Sequence, residues 1–528
     1  MSLAQSQTTS LLQELASILG DENVLTDAHS VTLYAQDVHT KSRPAMAVIR
    51  PATTEELSAA VRATTAAGHA IIARGGGMSY TSGYVPSEDD SVIVDMRRMN
   101  RIVAVNAEDM YVTVQCGCTW DELHQALDGT GLRTPYWGTL SGIRATVGGG
   151  LSQNSIFWGS ARYGTAADSV IGLEVVLADG TVVKTGAHAQ ENSTPFFRHF
   201  GPDLTGLFTC DAGALGFKAE ATLRLIPECQ ARRFVSFEFD DDSSMLRAMS
   251  DISRADVAAE CFGFDPYLQN VRMQRESLVS DVKKLAGVVK ASGSVLGAIK
   301  DSAKLAMAGR GYMKNVKFSL HVMLEEQSDA AADAGLARVR ELCEARDGRE
   351  LEDSIPKILR ANPFTPLNNV VGPRGERWVP IHTIVPHSKA ADTLQAVNAI
   401  FDTHREDVDR LGIGVGYLLA VVATNGFVIE PVFFTPDAMQ ELHRDTVEDA
   451  VLKTMPGFDE NPEARALTEV LRTEIIAKFA ELGGIHMQIG KTYPYRDHLR
   501  PEPWRIVEAL KKALDPSGRV NPGSLGLH

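Results

Sequence analysis

Four glycine-rich stretches carry the first chemical signal. Arg74-Gly75-Gly76-Gly77-Met78-Ser79-Tyr80-Thr81-Ser82-Gly83 directly follows the apolar run AIIA at 70–73. Glycines packed this densely let the backbone N–H groups fold into a concave nest that neutralises a pyrophosphate, and Ser79, Thr81 and Ser82 add hydroxyl donors. The spacing is not the Rossmann fingerprint, because G-x-G-x-x-G from Gly75 fails at Tyr80. The second stretch runs from Pro135 through Gly138-Thr139-Leu140-Ser141-Gly142 to Ala145-Thr146-Val147-Gly148-Gly149-Gly150, and continues at Tyr163-Gly164 and Asp179-Gly180. Small residues spread so widely imply close backbone approach to an extended ligand. The third, CDAGALGFKAEATLRL at 210–225, places Gly213 and Gly216 before an alternating strand, and the fourth, DPSGRVNPG at 515–523, closes a helix and contains Asn521.

A second signal is GIHMQIGKTYPY at 484–495. Its GKT is the tail of a phosphate-binding P-loop, but the glycine such a loop needs five positions before the last one is Ile485. The segment reads better as an active-site strand, with His486 as general base on a substrate hydroxyl and Gln488, Lys491 and Tyr493 as polar contacts. A structural histidine is the competing reading. His382 and His387 in PIHTIVPH, and Glu430 in FVIEP, read as polar residues at strand ends, and no metal is assigned. Lys314, Lys317, Arg374 and Arg377 are cations able to hold a substrate carboxylate. Cys116 and Cys118 have no second Cys or His cluster nearby, and the six scattered cysteines read as reduced thiols.

These residues need a scaffold, and its rhythm is visible. Ser10 to Gly20 has a helical apolar stripe, with Ser10 and Gln13 as its capping box. A strand at Ala47, a helix from Thr53 to Ala67 opened by the Thr53/Glu56 box, and a strand at 70–73 form a βαβ unit. Strands follow at Val92–Asp95 and Met110–Cys116, a helix starts at the Thr119/Glu122 box, and Leu173–Leu177 pairs with Thr181–Lys184 in a hairpin. From Cys229 the strands Phe234–Phe239, Val316–Leu324, Trp378–Val385, Val415–Val422 and Phe427–Phe434 alternate with the helices Asp329–Ala345 and Ala390–His404, which predicts a second sheet domain. Arg272 to Arg310 carries eight basic and three acidic residues and reads as a solvated amphipathic helix.

The chain of 528 residues is long enough for several domain-sized units, and 44% hydrophobic with 23% charged residues excludes wholesale disorder. A formal charge of −15 repels phosphate backbones, so no nucleic-acid partner is expected. Neither a signal peptide nor an integral membrane segment is recognisable, which makes a cytoplasmic protein the expectation. A homo-oligomer is compatible with this composition.

In this order and spacing, the four glycine-rich stretches resemble the FAD-binding domain of the vanillyl-alcohol oxidase and para-cresol methylhydroxylase (PCMH) superfamily, which also includes D-lactate and glycolate dehydrogenase flavoproteins. RGGGMSYTSG is similar to that family's pyrophosphate loop, GTLSG with ATVGGG to its isoalloxazine-flanking segment, CDAGALGF to its G-S-x-G-T-L-G-I stretch, and DPSGRVNPG to its returning C-terminal contact. The resemblance implies an α+β protein. Residues 1–41 form an N-terminal helical flap, 42–228 a PCMH-type FAD-binding domain, 229–480 a substrate cap, and 481–528 a segment returning to the first domain, with the active site at the interface. It further implies FAD, a small-molecule substrate, and dioxygen or a redox protein as electron acceptor. Met78 stands where several relatives carry a flavin-linking His, so the flavin is expected to be non-covalent at this loop. Oxidation of a hydroxyl-bearing carbon, as in a 2-hydroxy acid, is the leading expectation. An oxidase of 4-alkylphenols or aryl alcohols, using Tyr136, Tyr163, Tyr493 or Tyr495, is a second, and a flavin-bearing non-catalytic subunit a third.

Overall fold

The computed structural model describes residues 3–274 and 316–528. The chain divides into a first unit of Met1–Ile156, Thr165–Pro227 and His486–His528, and a second of Phe157–Gly164 and Glu228–Ile485. Both mix helix and sheet. The expected basic helix at Arg272–Arg310 lies, beyond its first three residues, outside the described residues.

The first unit holds a four-stranded sheet in the order Val24–Leu25, Ala47–Ile49, Val92–Asp95, Ile71–Arg74. Its last three strands pair in parallel, which suits apolar runs covered on both faces. The helix Thr54–Ala66 starts at Thr53, whose hydroxyl accepts from the Glu56 amide at 3.2 Å. It sends Leu57, Ala60 and Val61 into a core shared with Leu11, Leu15 and Leu19. Those three belong to a helix that runs from Leu3 to Leu19, so Ser10 is helical rather than a cap. No Gly or Pro interrupts Leu3–Thr9, and the helix extends through it. An antiparallel five-stranded sheet follows in the order Ile102–Asn106, Tyr111–Gln115, Phe217–Arg224, Val170–Val176, Val182–Lys184. Its central strand is the one that leaves CDAGALG.

In the second unit an eight-stranded sheet runs Arg349–Leu351, Ala231–Phe239, Phe318–Glu326, Glu260–Phe264, Gly414–Val422, Gly426–Thr435, Arg377–Pro380, with Thr383–Val385 also paired to Gly426–Thr435. The strand expected over Trp378–Val385 is broken at Ile381-His382, just after Pro380, which brings no N–H to the ladder. Phe157–Gly164 is built into this unit. Trp158 is fully buried and donates to the Pro363 carbonyl at 3.1 Å, while Arg162 pairs with Glu326 at 2.5 Å and donates to the Glu325 carbonyl at 2.9 Å. Among the described residues no helix is long and apolar enough to cross a membrane.

Candidate cofactor and active site

Within the first unit the four glycine-rich stretches meet. The loop after the strand Ile71–Arg74 packs on the stretch before the helix Val147–Gln153: a Cβ at Gly76 would collide with the Arg144 carbonyl oxygen, and one at Gly75 with the Thr146 hydroxyl. That close approach is why glycines are needed here. Thr146 caps the helix by accepting from the Gly149 amide at 3.2 Å. The Cys118 and Cys116 carbonyls receive the Val147 and Gly148 amides, both at 2.8 Å. Their thiols are buried, and burial pushes the Cys118 thiol up to about 12. The C-x-C pair therefore acts through its backbone.

Asn521, 1% exposed, joins three stretches, since its Nδ2 donates to the Gly83 and Ala212 carbonyls, each at 2.7 Å. Lys511 on the helix Pro501–Leu514 donates to the Ala214 carbonyl at 2.8 Å and the Val520 carbonyl at 2.6 Å, and pairs with buried Asp515 at 2.7 Å. Gly213 and Gly216 lie buried in the same turn, where Asp211 pairs with Lys218 at 2.7 Å. Pro135, Gly138, Gly142 and Gly148 are buried, and Thr139, Ser141, Gly149 and Met78 half-buried. Tyr163 and Gly164 fall in the second unit.

Other supports lie upstream. Asp37, fully buried, accepts from the amides of Ser82 at 2.6 Å, His39 at 2.8 Å and Thr40 at 2.5 Å, and so holds the glycine loop from below its C-terminal end. The Tyr84 hydroxyl donates to the Ser79 carbonyl at 3.2 Å. Neither Asp37 nor Tyr84 belongs to a motif, so only the fold could find them.

The segment after Gly484 is irregular rather than a strand. Gln488 takes φ +46° and Gly490 +56°, and a Cβ at Gly490 would strike the Thr81 carbonyl. These turns fold the segment onto the glycine loop. The Gln488 amide donates to the Gln153 carbonyl at 2.6 Å, its Nε2 to the Tyr80 hydroxyl at 3.2 Å, and the Lys491 amide to the Thr81 carbonyl at 2.9 Å. His486 stacks on buried Tyr493 with ring centroids 3.9 Å apart. The Lys491 ammonium donates to the Val85 carbonyl at 2.6 Å; burial pushes it down to about 8, against the pull of Glu88. His486, Lys491 and Tyr493 thus share one segment anchored to the loop Arg74–Gly83.

This arrangement fits a bound dinucleotide. Buried polar atoms without a protein partner cluster on the same segments: Nε and Nη2 of Arg74, Oε1 of Gln153 and Oδ1 of Asn521. Buried polar groups in folded proteins are nearly always satisfied, so such a group of donors and acceptors is what a polar ligand would complete.

Several other candidates are committed elsewhere. Arg377 pairs with Asp437 at 3.1 Å and Arg374 with Glu376 at 2.6 Å, Lys317 is exposed, and Lys314 lies outside the described residues. His387 contacts the Ser250 hydroxyl and the Thr424 carbonyl, both at 3.1 Å. His382 and Glu430 are buried in the second unit, and among the described residues no group of three or more His, Cys, Asp or Glu is placed to hold a metal. The Tyr136 hydroxyl bonds to that of Ser155 at 2.8 Å.

Comparison with known proteins gives a consistent picture. The model described as FAD binding domain matches residues 45–186, and that described as FAD linked oxidases, C-terminal domain, matches residues 229–525. The glycolate oxidase subunit GlcD of Bacillus subtilis (strain 168) is 26% identical over 529 residues, 98% of this chain and 97% of its own. A mitochondrial D-lactate dehydrogenase (cytochrome) 1 of Saccharomyces cerevisiae is 29% identical over 256 residues, 47% of this chain and 42% of its own, so less than half of that relative is spanned. The crystal structure of p-cresol methylhydroxylase with substrate bound superposes with a TM-score of 0.74 over 99% of this chain and 97% of that one, at 17% identity, and shares the fold.

Proposed function

The chain belongs to the FAD-linked oxidases, and from that premise we propose that it oxidises a hydroxyl-bearing carbon of a small 2-hydroxy acid. When bound, FAD supplies the acceptor for the hydride leaving that carbon. Arg74–Gly83, Pro135–Gly149, Gly213, Gly216 and Asn521 hold the cofactor, and because Met78 has no imidazole to offer, they hold it without a covalent bond.

His486 takes the proton of the substrate hydroxyl, Tyr493 fixes the plane of the imidazole, and Lys491 places a positive charge near the developing negative charge. The observation that carries this reading is that a stacked imidazole lies on a segment bonded directly to the glycine loop. The relatives named for glycolate and D-lactate support a 2-hydroxy acid as substrate. With Tyr136 bonded to Ser155 and Tyr493 stacked on His486, two of the four tyrosine candidates for phenolate binding are already engaged. The reoxidant is dioxygen or a redox protein.

Acid precipitation of the purified yellow protein, followed by anaerobic substrate addition to fresh holoenzyme, tests the proposal. Flavin released into the supernatant, and bleaching by D-2-hydroxy acids, are expected. Bleaching by vanillyl-type alcohols alone overturns the substrate class, and no bleaching by any small substrate favours a non-catalytic subunit.

A further inference from the structure

Phe196, Phe197 and Phe200, in the first unit, differ from every other phenylalanine of the chain. They are 54%, 54% and 53% exposed, and of the 19 phenylalanines, all of which lie among the described residues, they are the only exposed ones. Leu204, also exposed, follows them. The backbone beneath the rings is pinned. The Ala187 amide donates to the Phe197 carbonyl at 2.7 Å and the Phe196 amide to the Thr194 carbonyl at 2.9 Å. Arg198 turns inward, where it donates to the Ala167 carbonyl at 2.5 Å and pairs with Asp203 at 2.8 Å, and Asp203 in turn accepts from the Gly206 amide at 2.9 Å. A fixed loop therefore holds three phenyl rings in solvent, and an exposed apolar cluster on a fixed loop marks an interaction surface.

Size and charge select the occupant. With about half of roughly 200 Å² open on each ring, the phenyls offer on the order of 300 Å². A lasting dimer buries about 800 Å² on each partner, whereas brief redox encounters need less. The formal charge of −15 makes two copies of this chain repel each other and attracts a basic protein. An anionic lipid surface is disfavoured for the same reason, and residues 190–204 contain no lysine while their one arginine is committed to Asp203. The loop also runs through the helix Leu204–Leu207 into the cofactor stretch at Cys210, whose amide donates to the Leu151 carbonyl at 2.9 Å on the helix Val147–Gln153.

We propose that Phe196, Phe197 and Phe200 form the docking surface for a small basic one-electron carrier protein that reoxidises the flavin. Each docking passes one electron to the carrier. Two dockings return the reduced flavin to its oxidised form, and two protons leave to solvent, one from the substrate hydroxyl and one brought with the hydride. The inference rests on the FAD reading and narrows its electron acceptor to a protein.

The test uses full-length holoenzyme whose flavin is reduced photochemically, so a failed substrate screen leaves it intact. The reduced protein is mixed anaerobically in a stopped flow with ferricytochrome c as the basic carrier, and separately with ferricyanide. The triple variant Phe196→Ser/Phe197→Ser/Phe200→Ser is expected to lower the second-order rate constant for the cytochrome about ten- to a hundredfold and to leave that for ferricyanide unchanged. Added salt is expected to slow the wild-type reaction with the cytochrome. Phe200→Ser alone, the milder variant should the triple one fail to fold, is expected to slow it severalfold. A wild-type flavin that does not reduce the cytochrome, or variants that reduce it as fast as the wild type, overturns the proposal while the FAD reading stands; a protein that holds no flavin defeats that reading itself. A wild-type dimer that the substitutions split on gel filtration gives the surface to a second copy, and co-sedimentation with phosphatidylglycerol vesicles that the substitutions abolish gives it to a membrane; either result overturns the proposal.

Discussion

His486 lies face to face on Tyr493, with ring planes only 10° apart and centroids separated by 3.9 Å. Tyr493 is 3% exposed, so its ring forms a fixed floor for the imidazole. Replacing His486 by Ala is expected to lower turnover by a factor on the order of 10² to 10⁴ with flavin still bound. Tyr493→Phe preserves the stack and should retain most of the activity, whereas Tyr493→Ala should lower kcat more than it raises KM. Steady-state kinetics of the three variants, with the flavin spectrum as the loading control, decide this; wild-type turnover in His486→Ala removes the base.

Lys491 is expected to impose a pH dependence. Its folded-state value of about 8 lies below the ordinary lysine value. The unfolded chain therefore binds the proton more tightly, and stability rises with pH from about 8 toward the ordinary value near ~10.4. If its charge assists turnover, kcat falls as pH rises through about 8. Lys491→Arg should keep activity flat across that range, while a fall at the same pH in the variant assigns it to another group.

Asn521→Ala removes both hydrogen bonds that tie Gly83 to Ala212. Leaving the buried Ala212 carbonyl without that donor, and the Gly83 carbonyl with only the Ser524 hydroxyl at 3.3 Å, should destabilise the first unit by about 1–3 kcal/mol and weaken FAD retention. Thermal melting of apo and holo forms measures the first effect and gel filtration of the holoenzyme the second; an unchanged Tm would mean that the carbonyls find other donors.

Asp437 makes the second unit sensitive to acid. Burial raises the value of its carboxyl, but hydrogen bonds from Arg465, the Asn461 amide and Arg377 outweigh this and hold it at about 2. A depressed folded-state value contributes stability that is complete above the unfolded value near ~3.9 and is lost as pH falls toward 2. Asp437→Asn should be less stable than wild type by on the order of 2 kcal/mol near neutrality, with the gap narrowing between pH ~4 and ~2. Denaturant melts at several pH values show whether the gap closes.

What was legible in the chain was local. The boxes Thr53/Glu56 and Thr119/Glu122 mark helices because capping needs only residues three apart, and short apolar runs mark Val92–Asp95 and Gly414–Val422. Contacts between remote segments were not legible. Asp37 holding Ser82 and Asn521 bridging Gly83 to Ala212 have no fixed spacing. The helix Val147–Gln153 was hidden by its own three glycines, whose poor propensity is overcome by the Thr146 cap and the carbonyls of Cys116 and Cys118. Nothing in Phe157–Gly164 announces that it packs in the second unit, since that depends on Arg162 meeting Glu326 far along the chain.

Flavin reduction by a 2-hydroxy acid deuterated at its hydroxyl-bearing carbon, followed anaerobically by stopped flow, tests the central claim most directly. Hydride abstraction from that carbon predicts bleaching that slows severalfold with the deuterated compound and slows further in His486→Ala. A flavin that these acids leave oxidised, with or without deuterium, would contradict it.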